Sequence, residues 1–148
     1  MTYRVKFLHA ATWLLFAVAA IALTSCSQNA DRIPVFPVAG TLTYQEKPAT
    51  GALVTFHAID SPLPGALQPN GKVADDGTFQ LTTYESGDGA PAGNYAVTVF
   101  WPEPPASPVE APDSGPDRFR GRYLDAQQST WRVKVTEGTN TLEPFELK

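Results

Sequence analysis

The chain has 148 residues, a formal net charge of −4, 43% hydrophobic residues and a single cysteine. An acidic chain without runs of Lys or Arg has no electrostatic means of holding a phosphate backbone, which excludes nucleic acid as a partner. One cysteine excludes an internal disulfide, so the core must suffice alone, and the length suits one domain.

The first element is an export signal. Arg4 and Lys6 give a positive start, residues 10–23 are apolar except for Thr12, and Leu23-Thr24-Ser25-Cys26 closes the run with small residues before the cysteine. A membrane-spanning helix needs about 20 apolar residues, and this stretch stops short of that. A simple secretory signal would end in an Ala-x-Ala-like site and leave a cysteine at the junction as coincidence. The run resembles the lipobox of bacterial lipoproteins. That resemblance implies removal of residues 1–25, acylation of Cys26, and an outer-membrane address, because Ser27 stands where an inner-membrane aspartate signal would. Two or three acyl chains give stable anchoring, each buried methylene contributing about 0.8 kcal/mol. Removing Arg4 and Lys6 leaves nine basic residues against fifteen acidic ones, a mature net charge of −6.

Residues 26–36 read as a lipidated N-terminus and a polar, then Pro-punctuated tether (Pro34), and residues 37–148 as the folded domain. Within it the period is two and no helix is expected. Val38, Gly40, Leu42 and Tyr44 alternate with Ala39, Thr41 and Thr43, and residues 45–48 break the run as a hairpin turn. Residues 52–59 form a second strand, with Val54, Phe56 and Ala58 on one face and Leu53, Thr55, His57 and Ile59 on the other. Pro62, Pro64 and Gly65 end it.

Residues 72–74 form a short strand, Asp75-Asp76-Gly77 turns, and residues 78–82 return as its hairpin partner. After the Gly-rich stretch 87–93, Tyr95, Val97, Val99 and Trp101 alternate along a central strand. Residues 102–116 hold six prolines and read as a long extended loop. Arg118, Arg120 and Arg122 alternate around Phe119, Gly121 and Tyr123, a basic cluster that could dock an acidic partner or lipid headgroups but reads first as an extended edge strand protected by charge. Trp131, Val133 and Val135 then alternate with Arg132, Lys134 and Thr136, residues 137–140 turn, and 142–147 return as the closing pair. Seven or so short antiparallel strands imply an all-β fold, a single Greek-key β-sandwich.

Gly40-x-Leu42-x-Tyr44 with Lys47-Pro48, Gly51-Ala52-x-Val54-x-Phe56, Asp76-Gly77-x-Phe79 and Gly93-x-Tyr95-x-Val97-x-Val99, in that order, resemble the carboxypeptidase regulatory-like domain, a transthyretin-type β-sandwich. The version in small lipoproteins of planctomycete-like bacteria is the most similar. In it the Gly-rich stretch 87–93 and Gly138-x-Asn140 recur, and the resemblance covers residues 38–148. It implies a fold and a location but no chemistry, since in peptidases this domain accompanies the catalytic one and is not itself catalytic.

His57 is the one histidine after residue 25, so a Ser-His-Asp arrangement would have to use it, without a Gly-x-Ser-x-Gly turn to hold the serine. A transthyretin-like hydrolase of hydroxyisourate would need several histidines and a Tyr-Arg-Gly-Ser tail, where this chain has Phe145-Glu146-Leu147-Lys148. Asp75, Asp76 and Asp88 stand next to or near glycines, so turn chemistry explains them before calcium does. Lys134 lies on the polar face, unsuited to a buried Lys–Asn isopeptide. No catalytic residue, metal or cofactor is expected.

The expected function is a non-catalytic, lipid-anchored envelope protein acting as a structural or protein-interaction module. Its partners are the membrane, through Cys26, and an envelope protein or polysaccharide. The alternative is a carbohydrate-binding module in which Trp101 points from a strand end into a loop-built groove, beside Tyr123, Arg120 and Arg122.

Overall fold

A computed structural model describes residues 32–104 and 115–148, and Ile33–Lys148 form one compact unit. Cys26, the signal 1–25 and the body of the proline loop lie outside the described residues. Nine strands follow in order: β1 Val38–Tyr44, β2 Lys47–Pro48, β3 Leu53–Ala58, β4 Asn70–Lys72, β5 Thr78–Gln80, β6 Gly93–Phe100, β7 Arg132–Val135, β8 Asn140–Thr141 and β9 Phe145–Leu147. The described residues hold no α-helix, only a distorted 3-10 turn at Pro64–Ala66 where Gly65 and Ala66 are left-handed. The fold is all-β, with two sheets rich in antiparallel pairs.

The four-stranded sheet runs β4-β3-β6-β7, entirely antiparallel. Strand β6 is central in it, as its alternation predicts, and Tyr95, Val97 and Val99 are buried beside Val54 and Phe56. The five-stranded sheet is organised on β1. One edge of β1 takes β5 and β2 antiparallel, and the other takes β8 and β9 parallel. Val38, Leu42, Phe79, Phe145 and Leu147 from this sheet join the first sheet's residues in one hydrophobic core, an arrangement that fits a β-sandwich.

Four expectations need correction. The turn after β1 is only Gln45-Glu46, both at positive φ (51° and 64°), the pattern of a two-residue hairpin, so Lys47-Pro48 belongs to β2. Strand β4 lies at Asn70–Lys72, two residues before the expected position, and the expected β4–β5 hairpin straddles the sheets. Asn70 and Thr82 exchange main-chain bonds (3.0 and 2.7 Å), yet β4 pairs with β3 and β5 with β1. The closing pair is no hairpin. Asn140 accepts from Thr136 N and donates to Pro37 O and Gly138 O, which steers the chain out of β7's sheet to run parallel with β1, where Phe145 and Leu147 face the core. Finally, residues 33–36 are bound to the domain: Phe36 bridges Ala90 in both directions (2.9 and 3.0 Å), and a Cβ on Gly89 would stand 1.8 Å from Phe36 O.

The sheet-straddling hairpin depends on Gly71, whose side faces the Gln80 carbonyl. A Cβ there would stand 2.4 Å from that oxygen, backbone against backbone, with no side chain able to yield. Gly71→Ala is expected to cost about 3 kcal/mol, the upper range of overpacking. Gly51→Ala meets nothing within 4 Å and bears only its positive φ of 82°, so about 1 kcal/mol is expected. Urea denaturation of the two variants checks the difference; equal losses would place the constraint elsewhere.

Candidate functional site

The aromatic residues expected to face a ligand are mostly consumed by the fold. Trp101 is 7% exposed, and its indole N–H donates to Thr50 O at 2.9 Å. Its ring meets Tyr44 edge-on at 5.9 Å and Phe119 at 6.2 Å, while the Arg118 guanidinium covers it at 4.3 Å. The expectation of Trp101 projecting into a groove is therefore corrected. The residue is a core member because its inward-facing neighbours in β6 continue through it.

The arginine segment is corrected too. Residues 117–124 coil through successive turns, with Arg120 and Gly121 both at positive φ (52° and 85°) and main-chain bonds from Arg120 to Asp117, Arg122 to Phe119 and Leu124 to Gly121. The Asp117 carboxylate fixes this run by accepting from Trp101 N (2.9 Å) and Gly121 N (2.7 Å). Alternating exposure is nonetheless kept: Phe119 and Tyr123 pack on the core while Arg118, Arg120 and Arg122 stand in solvent. The signal for turns was Asp117 four residues before Gly121, an acceptor and a left-handed position at turn spacing.

Asp117 also closes the neck of the proline loop. Pro102 bridges Asp117, Glu103 N donates to Pro116 O at 2.8 Å, and Arg118 Nε donates to Pro102 O at 3.1 Å.

A cleft of about 670 Å³ opens between β9 and the segment leading into β7. Val97, Tyr123, Trp131, Arg122, Glu146 and Lys148 are among its walls. Tyr123 stacks on Trp131 at 5.5 Å and 20°, and Trp131 meets Phe145 at 5.4 Å. Tyr123 Oη donates to Lys148 O at 2.7 Å and accepts from Lys148 N at 2.9 Å, while Arg122 Nη1 also donates to Lys148 O. The structure thus brings Tyr123 and Arg122 together in one cleft, and leaves Arg120 outside it and Trp101 in the core. Trp131, read from the sequence only as part of an alternating strand, is half-buried, packing on the core and lining the cleft as well.

His57 lies on the outer face of the four-stranded sheet, as its alternation predicts. Its Nε2 is 2.8 Å from Thr98 Oγ1 and its Nδ1 is 3.5 Å from Gln68 Nε2. Which ring nitrogen donates follows from the tautomer, and in either tautomer the threonine hydroxyl can complete the bond at Nε2. Burial depresses the His57 pKa below 6.5 and keeps the ring neutral at pH 7.

The aspartates serve turns. Asp76 accepts from Thr78 N and Oγ1 (2.9 and 2.7 Å), and Asp88 accepts from Thr83, Tyr84 and Glu85 N at 2.7–2.9 Å. Partial burial raises the Asp88 pKa, and the bonds from Thr83, Glu85 and Tyr84 outweigh it, leaving the carboxyl below its usual range. Among the described residues no group of three His, Cys, Asp or Glu side chains is placed to hold a metal ion.

No protein-family model, no curated protein and no solved structure matches the chain.

Trp101→Ala is expected to lower stability by about 3–5 kcal/mol, as for a buried aromatic, and urea denaturation checks this; a loss under 1 kcal/mol would return the residue to the surface. His57 sets a pH dependence. With its folded pKa below the unfolded value, the stability it confers is complete above pH 6.5 and falls as the pH drops through the folded value. The urea midpoint is therefore expected to fall more steeply from pH 7 to 5.5 in the native chain than in His57→Gln. Parallel curves would refute the assignment.

Proposed function

We propose that this chain is a lipid-anchored, non-catalytic module of the bacterial envelope, held at the outer membrane through acyl chains on Cys26 and presenting its β-sandwich to a protein partner. The observation that carries the reading is the junction of two parts: Leu23-Thr24-Ser25-Cys26 after an apolar run, and a compact all-β unit beginning at Ile33, seven residues further on. A chain acylated at Cys26 would thus leave its anchor and enter its fold almost at once.

The finer fold reading belongs here as well. The positions of the carboxypeptidase regulatory-like pattern fall on core sites: Leu42, Val54, Phe56, Phe79, Tyr95, Val97 and Val99 are all buried. Tyr95 Oη donates to Pro91 O at 2.7 Å, so the Gly93-x-Tyr95 pattern ties the loop 87–93 to its strand. These features support a transthyretin-type Greek key as our proposal for the topology. The carbohydrate-binding alternative loses Trp101, on which it chiefly rested, and retains only the cleft at Tyr123 and Trp131.

Cys26→Ser expressed in a diderm bacterium tests the anchor. Unprocessed precursor and loss of radiolabelled palmitate are expected, since the thiol is the acyl acceptor. A variant that matures normally and stays with the membrane would overturn the proposal.

A further inference from the structure

Strand β1 gives the domain two distinguishable ends. At its Val38 end the chain enters, with Phe36 paired to Ala90 and Ile33 N donating to Tyr84 Oη at 3.3 Å. At its Tyr44 end, about 20 Å away at strand rise, Tyr44 packs on Phe119 at 5.3 Å and on Trp101. That second end carries Arg118, Arg120 and Arg122.

The guanidiniums of Arg118 and Arg120 have no carboxylate partner among the described residues, whereas that of Arg122 is bonded to Lys148 O. Two are held in place: Arg118 lies over Trp101 with Nε on Pro102 O, and Arg122 lies over Tyr123 at 5.5 Å with Nη1 on Lys148 O. Arg120 projects from a left-handed turn. The nearest carboxylate in sequence, Asp117, is occupied by two main-chain N–H groups, and Asp125 by Gln127 N and Gln128 Nε2. Ordered arginines whose remaining donors face solvent suit planar, bidentate carboxylates. Leu124, 45% exposed, adjoins them and adds an apolar contact. Arginine, aromatic support and an exposed leucine together are the composition of a protein interface.

From this we infer that Arg118, Arg120, Arg122 and Leu124 form a docking surface for an acidic protein segment carrying an apolar residue. The inference rests on the proposed function in one respect, that the domain meets a protein partner, and anionic vesicles enter the test below as the competing occupant. A sugar polymer is disfavoured because the aromatic faces at this end are already covered, Trp101 by Arg118, Tyr123 by Arg122 and Trp131. Glu46, Asp75 and Asp76 share this end of the domain on its β2–β5 side and Glu146 stands on β9, so a broad anionic surface such as a membrane would meet carboxylates as well as arginines, which favours a narrow acidic segment.

Fluorescence anisotropy on the full chain in detergent, with a labelled peptide of alternating Glu and Leu as probe, tests the surface independently of anchoring. The triple variant Arg118→Gln, Arg120→Gln, Arg122→Gln is expected to weaken binding about tenfold, a few-fold per exposed charge pair. Arg132→Gln with Lys134→Gln, on β7, is expected to leave it within twofold. Arg120→Gln alone, which touches no packed group, is expected to weaken binding two- to threefold at unchanged melting temperature and so separates docking from folding. Equal losses from the β7 and the arginine variants, no binding at all, or tighter binding of polygalacturonate or of vesicles with 30% anionic phospholipid would each overturn the inference.

Discussion

A continuous run of seven aromatic rings holds the two sheets together. Phe79 stacks on Phe145, Phe145 meets Trp131, Trp131 stacks on Tyr123, Tyr123 meets Phe119 edge-on, and Phe119 joins Tyr44 and Trp101. Phe79, Phe145 and Tyr44 come from the five-stranded sheet, while Trp131 and Trp101 flank strands of the other, so the run stitches one side of the core from end to end. With neither a disulfide nor a covering helix in the described residues, this contact carries a load that other small domains share among several devices. Such ring pairs add about 0.5–1.5 kcal/mol each beyond the area they bury. Trp101 and Phe119, side chains that could have served as ligand platforms, are thereby committed to structure.

Side chains that bond to main chain fix the loops around this run. Asp88 gathers three N–H groups, Asp117 two, and Asn140 five main-chain and hydroxyl partners drawn from Thr136, Pro37 and Gly138. Each places a short polar residue where the chain leaves one sheet for the other or doubles back. Buried loop backbone needs such partners, since an unpaired group costs about 1–3 kcal/mol. Residues that might look like metal ligands in a list are thereby assigned to geometry.

Period-two alternation made the faces of β1, β3, β6 and β7 legible from the residues alone, because burial on one side forces the pattern. Which sheet a strand joins leaves no such mark. Leu142 and Phe145 read equally well as an antiparallel return on β7 or as a parallel neighbour of β1, and the choice is made by the Asn140 side chain and by the space left beside Leu42. The arginine segment misleads for a related reason. Alternating Arg and aromatic residues satisfy a strand of period two, but coiled turns that expose every second residue produce the same exposure, and the Asp117–Gly121 contact decides between them. At the candidate site, Tyr123 and Arg122 were legible as neighbours, whereas the burial of Trp101 depended on Thr50 offering a carbonyl to the indole, a contact across 51 residues that no local pattern announces.

The asymmetry of β1 makes the two ends of the fold distinguishable. Its antiparallel partners β5 and β2 and its parallel partners β8 and β9 leave its two ends chemically unlike: main-chain pairing with the entering chain at one, aromatic rings capped by arginine at the other. Among the described residues three arginines gather at the second end, on a chain whose overall charge is negative. On an acidic chain, a few cations gathered at one end therefore act chiefly on orientation. Screening at physiological salt limits their reach to about 8 Å, so they select how a partner seats after contact and contribute little to drawing it from a distance.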